Sequence, residues 1–317
     1  MAVYHPLRSA SVRVTVVVLC LLVVNGFAIR LPPAAARPLS GQAWLALGGS
    51  LSPTGTGLLA GGVCVTRYVR RAVSRVEDER ASVEAERDAF REFADAVGSI
   101  DADGRAPTGR PAATLVSPEV RDAPTETVRD AYRRTVMDTP DYERAYGESI
   151  GENMTAELGP EVAGAVLRGE RFGPQLKRAL HDRAAVAATQ RRAFLNALDG
   201  ERDSLSEARR RIESTAVPFD DAPETDLSGQ SFGTLVGYDR QLRRSETRCR
   251  ELLEDRQREI HRADGWLPGA DGGAGSLQEY LYRQLDATFP ALRAAAERIE
   301  RLRDRRRAVV RAVVRAE

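Results

Sequence analysis

The sequence predicts an all-α protein, with an N-terminal transmembrane helical hairpin followed by an antiparallel bundle of long helices with coiled-coil character. Three observations support this fold class. Two long uncharged stretches occur before residue 67, an apolar residue then recurs at every seventh position, and long amphipathic patterns separated by Pro- and Gly-rich breaks fill the remainder. Outside the membrane region, no run of residues favours a β-strand.

Charge divides the chain into two unlike parts. Of the 317 residues, 47 are basic and 46 are acidic, yet Lys177 is the only lysine and the first acidic residue is Glu77. Residues 1–76 carry eight arginines and no acid, whereas all 46 acids and the other 39 bases lie in the remainder. This asymmetry argues against a uniform soluble globule. Because Lys177 lacks the preceding glycine of a P-loop, P-loop chemistry is also disfavoured.

Residues 1–71 are predicted to be a membrane anchor with two transmembrane helices, about 12–30 and 43–66. A bilayer-spanning helix needs about 20 mostly apolar residues. The first stretch is rich in Val and Leu, and the second is diluted by Gly, Ser and Thr, which membrane helices tolerate. One alternative stays open, because the small residues at 34–36 also suit the cleavage site of a signal peptide.

Arginines flank the two predicted spans unequally. Arg8 and Arg13 lie at the start of the first span and four arginines follow the second, whereas only Arg30 and Arg37 lie between the spans. The positive-inside rule then places both ends in the cytoplasm and the short loop outside. We therefore expect a location in the cell membrane, the lipid bilayer as a partner, and a soluble body in the cytoplasm.

An amphipathic heptad helix is predicted over residues 72–97. Its apolar face repeats every seven residues: Val69, Val76, Val83, Phe90 and Val97. Such a face is typical of a helix that packs along another helix. The second core column is poor, since it contains Arg80 and Arg87. The partner is therefore either a second copy of this helix or a later helix of the same chain.

Residues 98–124 have the Pro- and Gly-rich composition of a linker, and residues 125–317 are predicted to form a cytoplasmic helical domain. Thr125 follows Pro124 and favours a helix start. Long amphipathic patterns then cover about 174–216, 232–263 and 277–315. Pro290 should kink or split the last of these. Long helices joined by loops favour an antiparallel bundle.

Aromatic and apolar side chains concentrate between residues 132 and 154. The possible interaction patch consists of Tyr132, Met137, Tyr142 and Tyr146. We expect this patch to contact a partner or, as the alternative, to form a ligand pocket or a signal relay. A pocket requires a cavity lined by the tyrosines, and a tightly closed aromatic cluster would count against it.

The block VRDAYRRTVMDTPDYERAYGES, residues 128–149, resembles an uncharacterised family of haloarchaeal membrane-anchored helical proteins. The resemblance extends from the apolar N-terminus through the ERDAFREF segment to the C-terminal helices. It implies a haloarchaeal source and a membrane location. It implies no activity, ligand or catalytic residue.

The chain offers no recognisable pattern for catalysis or metal binding. Its three cysteines and three histidines are scattered, without the spacing of a metal site or a disulfide framework. We therefore predict no enzyme, no metal and no cofactor. The basic runs Arg209–Arg211 and Arg305–Arg307 lack the interleaved aromatic residues of a single-strand platform, so nucleic acid is disfavoured as a partner.

The C-terminal segment carries Val309, Val310, Val313 and Val314 on one face, bordered by arginines. This pattern suits either a short helix on the membrane surface or the end of a bundle. Taken together, the patterns predict a structural or protein-interaction role at the cytoplasmic membrane face, with a protein partner or self-association through helices. The alternative is a sensory or regulatory module built around the aromatic block at 132–154.

Overall fold

Helices form nearly all of the computed structural model, which describes residues 66–102, 124–140, 142, 147–220, 224–263, 267–268 and 274–316. The helices of this part are α1 (Arg67–Ser99), α2 (Pro124–Arg134), α3 (Ile150–Leu158), α4 (Pro160–Leu167), α5 (Pro174–Glu213), α6 (Glu224–Ser228), α7 (Phe232–Ala263), α8 (Leu277–Tyr282) and α9 (Pro290–Ala316). A 3-10 turn spans Val136–Asp138. The all-helical prediction for the body is confirmed.

The two longest helices, α1 and α5, pack antiparallel. Arg80 on α1 donates to Asp199 on α5 at 3.0 Å. Nearer the C-terminus of α1, the Nζ atom of Lys177 donates to the carbonyl of Gly98 at 2.7 Å. Residue numbers therefore increase along α1 in the direction in which they decrease along α5. With 40 residues, α5 is about 60 Å long, and it contributes side chains to two of the three core clusters of the body.

Helices α7 and α9 form a second antiparallel pair. Arg306 donates to Asp239 at 2.8 Å, and Arg303 donates to Glu246 at 2.8 Å. Helix α7 also runs antiparallel to α5, since Arg211 reaches Asp255 at 2.8 Å and Ser204, earlier in α5, donates to Glu259, later in α7, at 2.6 Å. It follows that α9 runs opposite to α1.

The apolar core is divided into three clusters along this body. One cluster joins the C-terminal half of α1 to α2, α3, α4 and the first half of α5. The middle cluster joins the first half of α1 to the second half of α5, α8 and the start of α9. The third joins α7 to α9 and to Val217, Phe219 and Leu227. The helical stripes in the sequence therefore face one another across a continuous body.

Short helices α2, α3 and α4 cover one end of the α1–α5 pair. Ser149 and Glu152 form a capping box at the start of α3, in which each side chain binds the backbone N–H of the other residue. Gly159 has a φ of 88° between α3 and α4, a conformation that glycine adopts without strain. The sequence patterns did not predict α4.

The break between α7 and α8 contains a two-residue antiparallel pairing, Leu267–Pro268 with Ala274–Gly275. A second capping box, Ser276 with Glu279, starts α8. Helix α8 ends at Tyr282 and α9 begins at Pro290, so the predicted third long helix is split, as Pro290 indicated.

The predicted spans at 12–30 and 43–66 lie outside the described residues, except for Thr66. Among the described helices, none combines the length and apolar character that a bilayer crossing requires. The predicted linker at 98–124 is described only at its two edges.

Candidate functional site

The predicted heptad face of α1 lies inside the body. Val69, Val76, Val83, Phe90 and Val97 are each at most 4% exposed. The first three belong to the middle cluster, and Phe90 and Val97 belong to the cluster beside α2–α4. The partner of this face is therefore α5 and the helices around it in the same chain. Of the two alternatives in the sequence, internal packing is the one the structure shows.

The aromatic block is a closed part of the core at Tyr132. This side chain is fully buried, and its ring meets the ring of Phe93 edge-on with centroids 5.1 Å apart. Its Oη atom donates to Oδ1 of Asn153 at 2.6 Å. Because both groups are buried, loss of this hydrogen bond would leave an unpaired polar group in the core and destabilise the fold.

The other members of the predicted interaction patch do not form one surface with Tyr132. Met137 is partly buried against the cluster that contains Tyr132. Tyr142 is buried, and Tyr146 lies outside the described residues. Burial, with the nearby Glu148 carboxylate next in importance, raises the pKa of Tyr142 well above its ordinary value. Tyr142 therefore stays neutral in this acidic surrounding.

A buried ion pair lies in the same end of the body and was not predicted. Arg191 on α5 donates two hydrogen bonds to Glu157 on α3, at 2.8 and 2.7 Å. Both residues are 4% exposed. Glu86 on α1 accepts from Arg191 at 3.3 Å, and the guanidinium lies 4.7 Å from the ring centroid of Phe90. One arginine thus links three helices.

A second buried network centres on the carboxylate of Glu201 in α5. It accepts hydrogen bonds from Arg256 at 2.5 and 2.7 Å, from Gln278 at 2.9 Å and from Tyr282 at 2.7 Å. All four residues are at most 4% exposed. Within the described residues, Nε of Arg256 and Oε1 of Gln278 have no hydrogen-bond partner. The network therefore joins α5, α7 and α8 at a cost in desolvation.

Electrostatics keep this network in its paired state. Burial alone would lower the pKa of the Arg256 guanidinium, but the Glu201 carboxylate raises that pKa above its ordinary value. Burial and the same carboxylate raise the pKa of Tyr282 far above its ordinary value. Arg256 therefore stays charged and Tyr282 stays neutral, which preserves every hydrogen bond to Glu201.

Two further buried polar groups act in the same way. Glu79 on α1 is 1% exposed and accepts from Tyr280 at 2.6 Å and Arg75 at 2.9 Å. Arg298 on α9 donates to the hydroxyl of Thr215 at 3.0 Å and to Asp220 at 2.7 Å. Each buried charge is thus matched by an opposite charge or a dipole on another part of the fold.

One signal in the sequence could have revealed these pairs. Arg191 and Glu201 stand at helical spacing within the apolar stripe of α5, between Ala187, Phe194, Leu198 and Leu205. A charged residue at a core position of an amphipathic helix requires a buried partner. The sequence does not show which helix supplies that partner.

Metal ligands and reactive groups do not converge in the described part of the chain. Among those residues, no three His, Cys, Asp or Glu side chains are arranged to hold a metal ion. Cys249 is a free, buried thiol whose pKa is raised by burial, so it is poorly suited to act as a nucleophile. His181 and His261 are exposed. An open pocket at the start of α1 is lined by Tyr68, Arg71, Leu285, Asp286, Ala287 and Pro290.

The fold and its buried charge pairs define an all-helical bundle protein whose helices are held in register by interhelical ion pairs. The chain belongs to the family described as Domain of unknown function (DUF7260), whose model matches residues 67–306. No curated protein and no solved structure matches the chain. The match confirms an uncharacterised domain family, while a haloarchaeal source and membrane anchoring remain predictions.

Proposed function

We propose that this protein is a non-enzymatic helical scaffold, tethered to the cytoplasmic face of the cell membrane, that holds a protein partner there. The observation that supports the proposal best is the use of its buried charges. Glu157, Glu201 and Arg256 are engaged with side chains on other helices. A catalytic group must instead keep a donor or acceptor directed at a substrate. Buried charges used this way fix the relative position of long helices.

The tether rests on residues 1–71. This segment contains the two uncharged stretches and no acidic residue. Helix α1 begins at Arg67, directly after the second predicted span, and Arg67, Arg70 and Arg71 are exposed in its first turns. Exposed arginines beside a span suit the anionic cytoplasmic leaflet.

The body offers a partner a long surface rather than a cleft. Helix α5 spans about 60 Å, and its neighbours cover its apolar stripe. Self-association through the heptad face is disfavoured, because that face is already buried in the chain. A protein partner therefore binds the outer surfaces of the bundle.

Fractionation of cells that contain the full chain tests the tether. The protein should stay in the membrane pellet after a high-pH wash, and protease added to intact cells should leave the body uncut. The control variant V18D/L59D places a charge in each uncharged stretch and should move the protein to the supernatant. Recovery of the unaltered chain in the supernatant would refute the tether, and digestion of the body in intact cells would refute its cytoplasmic location.

Cross-linking in those membranes, followed by capture of the full chain, tests the scaffold role. A protein should be captured with the unaltered chain and lost with V18D/L59D, because the partner is met at the membrane. Turnover of a small molecule by the purified chain would contradict the non-enzymatic part of the proposal.

A relay at the aromatic block is the second candidate function. It is supported by the buried Tyr142, whose pKa is raised by burial and by the carboxylates of Glu148, Glu157 and Glu152. The closed packing of Tyr132 disfavours a ligand cavity at that residue. Under the relay, Y142F should change partner capture without unfolding the body. An unchanged capture would remove this candidate.

A further inference from the structure

We propose that the end of the bundle formed by the start of α7 and the last turns of α9 docks onto anionic lipid headgroups of the bilayer. We name this end the distal tip, and define it as residues 232–237 and 305–316. The inference rests on the proposed tether. It adds a second contact between the body and the membrane, and it assigns the ligand of a surface that the scaffold role leaves unexplained.

Exposed apolar side chains gather at the distal tip. Large apolar side chains are exposed at Phe232, Val310 and Val314, to 52%, 47% and 69%. Val310 and Val314 are four residues apart and therefore share one face of α9. The Asp239–Arg306 hydrogen bond sets the register of α7 and α9. Phe232 and Val314 lie seven and eight residues beyond that bond, which places both about 10–12 Å further along the body.

Positive charge surrounds these apolar side chains. Residues 305–316 hold five arginines and no acid, and residues 227–238 hold no charge at all. Arg307, Arg311 and Arg315 are exposed, and Arg307 is also paired with Asp304 one turn earlier. Arg307, Val310 and Val314 fall on one exposed stripe of α9. Aliphatic side chains set among arginines are typical of a helix that lies in the headgroup region of an anionic bilayer.

The direction of the helices brings the distal tip to the bilayer. The guanidinium of Arg293 lies 5.6 Å from the ring centroid of Tyr68, which fixes the start of α9 beside the start of α1. Helix α9 runs opposite to α1, so Val314 lies about 32 Å from Arg293, beyond the start of α1 in the direction toward which the N-terminus of α1 points.

This offset also determines how the body lies. The second predicted span ends at residue 66 and α1 begins at Arg67. A body perpendicular to the bilayer would push the distal tip through the headgroups into the hydrocarbon, where five arginines are costly. The body is therefore inclined, so that the start of α1 and the distal tip are two contacts about 30 Å apart and the end that contains α4 points away from the bilayer. Anionic lipid fits the tip better than a protein because the exposed Arg307, Arg311 and Arg315 extend over about two turns of α9 and are attracted to a charged leaflet.

The test uses the full chain reconstituted into vesicles, with Cys20 and Cys64 changed to Ser and Cys249 changed to Ala. A fluorophore is attached in the V314C variant, and a lipid with a spin-labelled headgroup serves as the quencher. The matched control is the E170C variant, because Glu170 is exposed at the opposite end of the body, between α4 and α5. Circular dichroism checks that both labelled proteins keep their helices.

The V314C label should be quenched in vesicles that contain phosphatidylglycerol, and the E170C label should not. Quenching at V314C should be lost in pure phosphatidylcholine and in the R307E/R311E/R315E variant, because the attraction is electrostatic.

If the chain floats with the vesicles but the two labels are quenched equally, the lipid contact of the distal tip is refuted and the tether is not. A chain that does not float would overturn the tether and this inference together. Protection of the V314C label by a protein in native membranes, without quenching in vesicles, would assign the tip to a protein and also overturn the inference.

Discussion

One terminal nitrogen of Arg256 on α7 donates to both carboxylate oxygens of Glu201 on α5, at 2.5 and 2.7 Å, and both residues are 4% exposed. A buried pair of this kind gains little over apolar packing, since both ions lose their hydration. Removing one partner is costly, because the other charge then stays buried alone. The pair therefore fixes which faces of α5 and α7 meet more than it adds to stability.

Replacing Glu201 should destabilise the body strongly. In E201A, Arg256 would be buried without its carboxylate, so we expect a loss of about 3–5 kcal/mol in the free energy of unfolding. Thermal and denaturant unfolding, followed by circular dichroism, measure this loss. The control is E259A, which removes a 47% exposed carboxylate 3.2 Å from the same arginine and should cost less than about 1 kcal/mol. Equal losses in the two variants would contradict the assignment.

Truncation of the heptad face should unfold the chain rather than dissociate an oligomer. Phe90 is 1% exposed and packs on α5 through Arg191, so F90A should cost about 3–5 kcal/mol. Glu77 is exposed on the same helix, and E77A serves as the control. Unfolding curves and cross-linking in membranes give the two readouts. A stalk of two chains would instead lose its cross-links in F90A at unchanged stability.

Removing one hydroxyl should reveal the buried bond between Tyr132 and Asn153. Y132F keeps the ring against Phe93 but leaves Oδ1 of Asn153 unpaired, which should cost about 1–3 kcal/mol. The double variant Y132F/N153L removes both polar groups and should recover part of that loss. A double variant whose loss equals the sum of the two single losses would show that the bond contributes nothing.

Acid should weaken the packing of the α7–α9 pair. Burial alone would raise the pKa of Asp239, but hydrogen bonds from Arg243 and Arg306 hold it below its ordinary value. Glu246 behaves likewise, with burial opposed chiefly by Arg303. A carboxyl group with a lowered pKa in the fold stabilises the protein above its unfolded pKa of about 4, and this stability is lost as the pH falls through the folded pKa.

Unfolding between pH 7 and pH 3 measures that loss. The D239N/E246Q variant should be less stable than the unaltered chain at pH 7 and should lose less stability on acidification. An acid dependence unchanged in this variant would place the responsible carboxyl groups elsewhere in the chain.

Much of the secondary structure could be read from the residues, because it depends on local patterns. Helix α7 has the predicted bounds, and α5 ends at Glu213, close to the predicted end at 216. Pro290 starts a new helix as expected. Helix α4 was missed because its eight residues contain too few turns to show a periodic stripe.

The candidate sites depended on long-range contacts and were only partly visible in the sequence. Tyr132 was selected for its aromatic character, yet its buried partner, Asn153, follows 21 residues later along the chain. Arg191 and Glu157 were not selected. Arg191 stands in the apolar stripe of α5, but no local pattern marks Glu157 as its partner. Their role appears only when α3 and α5 meet.

The sequence by itself determined that the body is helical, that the charge of the chain is asymmetric, and approximately where α5 and α7 begin and end. These properties follow from composition and from spacing over one or two turns. Tertiary structure alone decided that the face of Val76 and Phe90 packs within the same chain, that Glu201 faces Arg256, and that the end of α9 extends beyond the start of α1. Each of these depends on which helices become neighbours, a choice made by the packing free energy of the whole bundle and not by any single segment.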